Sequence, residues 1–167
     1  MIPSDQARVT VSVAVPPGEA FEVFTQQIDL WWRRGPKYRQ LGGERALIAI
    51  EPHAGGRVFE SLGDDGPVHE IGRVLVWQPP SRLLFEWRLA NFAIDERTEV
   101  EVSFEPAAHD STQVTVTHRG WAAIRPDHPA RHGQASAEFL RRLGLWWGDQ
   151  LGVYRLSAGA AREGRRQ

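Results

Sequence analysis

The sequence predicts an α+β fold: a curved antiparallel sheet of about seven strands wrapped around a long C-terminal helix, with short helices between the first two strands. Three patterns carry the prediction. Val9, Val11, Val13 and Val15 alternate with smaller or polar residues, the period of a strand with one buried face. From Arg45 to Arg119, turn formers interrupt runs rich in valine, isoleucine, phenylalanine and tryptophan every eight to fifteen residues. Finally, Leu140, Leu143, Trp147, Leu151 and Tyr154 recur at spacings of three, four, four and three, a helical stripe.

The elements follow in order. Pro16-Pro17-Gly18 ends the first strand, and Pro17 suits the first turn of a helix, where its missing N–H costs nothing. Ala20, Phe21, Phe24, Ile28 and Trp31 predict a short amphipathic helix or a broken pair ending near Trp31-Trp32. Arg33 to Glu44, with Gly35-Pro36 and Gly42-Gly43, reads as loop. Breakers then leave strands near 45–50, 57–62, 67–77, 82–89, 97–105 and 112–119. Asp64-Asp65-Gly66 fits a tight hairpin in which the glycine takes a positive φ. Short connections of this kind join antiparallel neighbours. Trp121 to His132 has no periodicity and reads as a surface connection; a helix over about 134–157 follows, then a frayed tail over 158–167. One long helix must cover the apolar face of one sheet, so the sheet must bend, and Gly55-Gly56 and Gly72 are the candidate points.

With 167 residues the chain has the size of one domain, 1–167, its core spanning about 8–157. The 20 basic side chains balance 21 acidic ones, so no field gathers nucleic acid or anionic lipid. Cysteine is absent, which excludes disulfides, thiolate metal sites and cysteine nucleophiles. Met1 to Asp5 lacks the basic start of a signal peptide, and no stretch has the length of a membrane span, so a cytoplasmic protein without membrane insertion is expected. Because Lys37 is the only lysine beside many arginines, a GC-rich bacterial genome is expected. Composition is silent on oligomeric state, and a homodimer is compatible with it.

The motifs Glu51-Pro52, Gly55-Gly56-Arg57, Phe59-Glu60, Gly72-Arg73-Val74, Trp77-Gln78-Pro79-Pro80, Arg82-Leu83 and Phe85-Glu86-Trp87 combine with this element order. With Thr115 to Trp121 before the last helix, the set resembles the START-like (SRPBCC) superfamily, in the branch of the activator of heat-shock-protein-90 ATPase homologues. The resemblance runs from Val9 to about Tyr154. It implies a helix-grip fold with a cavity for an apolar or aromatic ligand, such as a lipid or polyketide, and no shared catalytic residue. The eukaryotic co-chaperone that names the branch carries a second, N-terminal domain, which this chain is expected to lack, so ATPase activation does not carry over. A co-chaperone-like protein-interaction module with a chaperone partner is a third reading beside ligand binding and a cyclase or dehydratase-type enzyme.

Candidate ligand-binding residues are those whose phase turns them inward: Phe85, Trp87, Val102, Val116 and His118 on strands, and Leu140, Leu143, Gly144, Trp147 and Leu151 on the last helix. Seven tryptophans exceed what core packing ordinarily needs, and wide rigid rings suit a pocket, although core filler is the commoner role of each. Gly144, Gly148 and Gly152 lie four apart along one shoulder of the stripe. Each costs about 1 kcal/mol in a helix, so close helix–sheet contact or room for a ligand is expected there. His118 is in phase with Val114 and Val116; the commoner role is a satisfied neutral imidazole, the sharper one an acid/base group. It is the single weak catalytic candidate, and the chain leans towards a binding protein over an enzyme. Glu60, Glu70 and Arg73 could turn a charge onto the concave face, as a cyclase or dehydratase would need, but solvated edge charges are commoner. Asp127, His128 and His132 have the only look of a metal site, and Pro129 and the missing glutamate set them apart from zinc-protease motifs. No metal or cofactor is therefore expected, and the partner expected is a small apolar ligand.

Overall fold

The computed structural model describes residues 5–41, 45–63, 65–88, 92–125, 127–131 and 136–166. Strand β1 covers Ala7–Val13, α1 Pro17–Gln26 and α2 Ile28–Trp31. Pro16 caps α1 and Pro17 opens it, as the sequence predicts. The helix pair is broken at Gln27, and the break is sealed by Trp31, whose indole N–H is shared between the carbonyls of Val23 and Phe24 at 3.2 and 3.3 Å. Those carbonyls lie in the last turn of α1, where backbone acceptors lack helical partners.

Six strands follow: β2 Leu47–Ile50, β3 Arg57–Ser61, β4 Val68–Gln78, β5 Arg82–Trp87, β6 Thr98–Ala107 and β7 Ser111–Arg119. Every neighbouring pair is antiparallel, in the order β1-β7-β6-β5-β4-β3-β2. The strands thus form a seven-stranded meander whose far end is completed by β1. The sheet curls where its register slips, between Val58 and Phe59 and between Val74 and Val76. Gly72 sits between these slips. A Cβ there would lie 1.8 Å from the Glu86 carbonyl oxygen, so only glycine lets β4 approach β5 this closely. Turn glycines differ from expectation in detail: Gly63 takes the positive φ rather than Gly66, and Asp64 lies outside the described residues.

Helix α3, Ser136–Arg166, lies across the concave face. It runs beyond the predicted end near 157. Ala158 is fully buried, and alanines, arginine and glutamate after it are good helix formers, so nothing local stops the helix. Trp147, Leu151, Tyr154 and Ala158 meet the inward valines of β6 and β7 together with Phe21, Phe24 and Trp31 of the early helices in one core. Tyr154 donates its hydroxyl to the Ala20 carbonyl at 2.7 Å, tying α3 to α1. The segment after β7 is more than a surface connection: short 3-10 turns at Trp121–Ala123 and Pro129–Arg131 carry Trp121, Ile124 and Ala130 into a second buried cluster with Phe92 and Phe139. Its irregular spacing hid this cluster from a search for periodicity.

Candidate ligand-binding site

His118 is fully buried at the inward end of β7. Trp147 donates its indole N–H to His118 Nδ1 at 3.1 Å, and His118 Nε2 lies 2.7 Å from Thr98 Oγ1. An indole N–H only donates, so Nδ1 is the acceptor and Nε2 carries the proton. Nε2 therefore donates to Thr98, whose hydroxyl donates onward to the Trp87 carbonyl at 3.0 Å. Burial pushes the imidazole pKa down to about 3, keeping the ring neutral. Every polar atom of the ring is used, which is the satisfied structural histidine rather than a free acid/base group.

Around this node the aromatic rings form a continuous belt. Trp32 contacts Trp87, Trp146 and Trp147 at centroid distances of 5.6, 5.7 and 5.6 Å, and Trp87 meets His118 at 5.7 Å. Tyr38 stacks on Trp146 at 5.6 Å. The indole donors are anchored on backbone, Trp32 on the Tyr38 carbonyl and Trp146 on the Lys37 carbonyl, both at 3.0 Å. The space predicted to hold a cavity is thus occupied at its centre by rings in mutual contact.

Of the sequence-predicted residues, Phe85, Trp87, Val102, Val116 and His118 on the strands and Trp147 and Leu151 on α3 are buried. Leu140, Leu143 and Gly144 are half-buried, as is Trp146. The helix therefore packs in two regimes: from Trp147 onward its inner face is closed, while over the preceding turns only Phe139 is buried.

The glycine row corrects the expectation. Gly148 and Gly152 are exposed, and a Cβ at any of the three positions meets nothing within 4 Å. Four residues over-rotate a helix by about 40°, so a row starting on the shoulder at Gly144 drifts out to solvent by Gly152. Close packing explains none of the three, and ligand room does not explain the exposed Gly148 and Gly152.

Glu60 is buried on the concave side, where its Oε2 and Oε1 accept the backbone N–H groups of Gln40 and Leu41 at 2.9 and 3.3 Å. Glu70 and Arg73 are on the outer face and pair with each other at 2.7 Å. His69 stands opposite Glu60 in the register of β3 and β4. Its Nε2 is buried without a hydrogen-bond partner among the described residues, and burial lowers the pKa of the ring. Sequence phase had placed His69 on a face with Ile71, but β4 is apolar on both sides, and its register slips could not be read from the sequence.

Arg39 and Gln150 were likewise missed. Both are fully buried; Gln150 accepts the Arg33 N–H at 2.8 Å, and its Nε2 has no partner among the described residues. His132 lies outside the described residues, and His128 Nδ1 accepts the Ala130 N–H at 3.0 Å. Its Nε2 lies 3.3 Å from Glu96. Among the described residues no cluster of three potential ligands occurs. No helix among them is long and apolar enough to cross a membrane.

A curled antiparallel half-barrel gripping a C-terminal helix, with an aromatic interior, defines the helix-grip class of α+β proteins. Residues 14–144 match the family described as activator of Hsp90 ATPase homolog 1-like protein, and the chain belongs to that family. Among solved structures it is similar to the anthrahydroquino-γ-pyrone synthase Txn09, with 30% identity, TM-score 0.55 and coverage of 93% of this chain and 99% of that one. It also resembles protein MLL2253 from Mesorhizobium loti (20% identity, TM-score 0.60, 90% and 95% coverage). A third similar fold is PFC0360w, an HSP90 activator from Plasmodium falciparum (17% identity, TM-score 0.52, 86% and 96% coverage). No curated protein matches the chain.

Proposed function

We propose that the chain binds a planar aromatic small molecule between the first turns of α3 and the tryptophan belt. The observation that carries this reading is the contrast along α3. Trp146 is half-buried against Trp32 and Trp87, Leu143 is half-buried where the main core meets the second cluster, and Leu140 is half-buried against the second cluster, while the inner face of the helix beyond Trp147 is closed. A flat ring can enter that seam by sliding against indole faces, trading one ring–ring contact for another at little cost. The 30% identity to a synthase named for a fused aromatic pyrone supports an aromatic ligand over a flexible lipid chain. The same relative favours a second reading, a cyclase-type enzyme, for which the inward Glu60 and His69 would supply the polar chemistry.

Titration with 1,8-dihydroxyanthraquinone tests the binding reading. Tryptophan emission should be quenched saturably at one molecule per chain, and Trp146→Ala should weaken the binding. A linear, non-saturating response in the wild-type protein overturns it. Turnover of a polyketide-type substrate, lost in a Glu60 or His69 variant, would move the assignment from carrier to enzyme.

A further inference from the structure

Glu60 and His69 are cross-strand partners, and partners in an antiparallel pair project to the same face. Glu60 is 1% exposed, so that face is the concave one. The glutamate is not free to wander: a backbone amide holds each carboxyl oxygen, Gln40 on one and Leu41 on the other. His69 is different. Its ring is half-buried, yet Nε2 is shielded from solvent and makes no hydrogen bond among the described residues. A buried polar nitrogen without a partner is a cost to the fold, because its lost hydration is not replaced. Among the described residues this leaves Nε2 as a shielded polar atom on the concave face, beside a clamped carboxyl and open to a further partner. His118, by contrast, spends both its nitrogens on protein partners.

Desolvation by burial lowers the pKa of the ring and outweighs Glu60, a hydrogen bond with the Arg88 backbone and Glu70, which favour the charged form, so the ring is neutral near pH 7. A neutral imidazole offers one donor and one acceptor nitrogen.

We propose that His69, which faces Glu60 across β3 and β4, is the polar end of the ligand site and pairs through Nε2 with a hydroxyl group on a bound aromatic molecule. The ligand class is therefore a phenol or enol rather than a plain hydrocarbon or a fatty acid. This rests on the aromatic-binding reading above. It adds a specificity that the tryptophan belt alone cannot give, since indole faces accept any flat ring.

Equilibrium dialysis with 2-naphthol and with 2-methylnaphthalene, on the wild-type protein and on His69→Phe, separates the two claims. The wild type should prefer 2-naphthol about tenfold, the factor that one hydrogen bond of about 1.4 kcal/mol supplies. In His69→Phe the preference should fall to about one, with binding of 2-methylnaphthalene within about twofold of wild type. A preference that persists in His69→Phe overturns the His69 assignment and leaves the aromatic site standing. If neither probe binds the wild type, both fall. A second measurement does not depend on the variant folding: in wild-type protein labelled with nitrogen-15, 2-naphthol should move the His69 Nε2 resonance while that of His118 Nε2 stays in place. An unmoved His69 resonance at saturating 2-naphthol overturns the assignment.

Discussion

Because Trp147 can only donate, protonation of His118 would set an N–H against an N–H, and the node joining α3 to β7 would break. The groups around the ring, Thr98, Trp87, Trp121 and Trp147, are uncharged, so nothing offsets desolvation. The folded-state pKa of about 3 lies below the ordinary 6.5, so the unfolded chain binds the proton first as pH falls. Stability from this residue is therefore complete above pH 6.5 and is lost progressively down to about pH 3, at a slope approaching 1.4 kcal/mol per pH unit. Urea unfolding at pH 7, 6, 5 and 4 should show that slope. His118→Gln, which offers Trp147 an acceptor and Thr98 a donor without titrating, should be less stable at pH 7 but lose less between pH 6 and 4. Identical pH profiles for the two proteins would exclude His118 as the source. That His118 faces inward was legible from its phase with Val114 and Val116. That it is structural depends on Trp147, 29 residues away, and no local pattern reports that contact.

At the scale of elements, the stretch between α2 and β2 is held by one guanidinium. Arg39 donates to the carbonyls of Asp29, Trp32, Arg33 and Ala46 and to Asp29 Oδ1, which also accepts the Ile48 N–H at 3.0 Å. Thus α2, the loop and β2 share a node, and the loop in turn presents Tyr38 and Lys37 to Trp32 and Trp146. Removing one partner of a buried ion pair costs about 3–5 kcal/mol because the other groups are left unpaired. Asp29 is partly exposed and keeps Arg34, which puts Arg39→Met near the lower figure, about 3 kcal/mol. Urea midpoints should record that loss, and a change below about 1 kcal/mol would mean that the loop does not unfold with the core. The strands were legible to within about two residues because period-two burial and turn residues are local signals. Arg39 was not legible: an arginine in an aperiodic loop reads as solvated until the carbonyls converging on it are known. Glu60 was left open for the same reason, since its amide partners Gln40 and Leu41 lie in that loop.

Across the whole molecule, α3 couples the closed core to the open seam. From Trp147 to Ala158 its inner residues are sealed against β1, β7 and α1, whereas Leu140, Leu143, Gly144 and Trp146 are half-buried. Phe139 is fixed separately, its ring 4.7 Å from Trp121 in the second cluster, so the seam is bounded at both ends rather than frayed. Local opening follows the density of buried contacts, so amides between those two anchors should exchange faster than those beyond Trp147. A ligand that binds only the closed form stabilises it by mass action and should slow exchange in the first segment selectively. Hydrogen exchange read by mass spectrometry, without and with saturating 1,8-dihydroxyanthraquinone, should therefore show protection gained over residues 140–146 and little change over 148–158. Uniform protection along α3, unmoved by the compound, would mean that the helix closes as one rigid unit and that no ring enters beneath it.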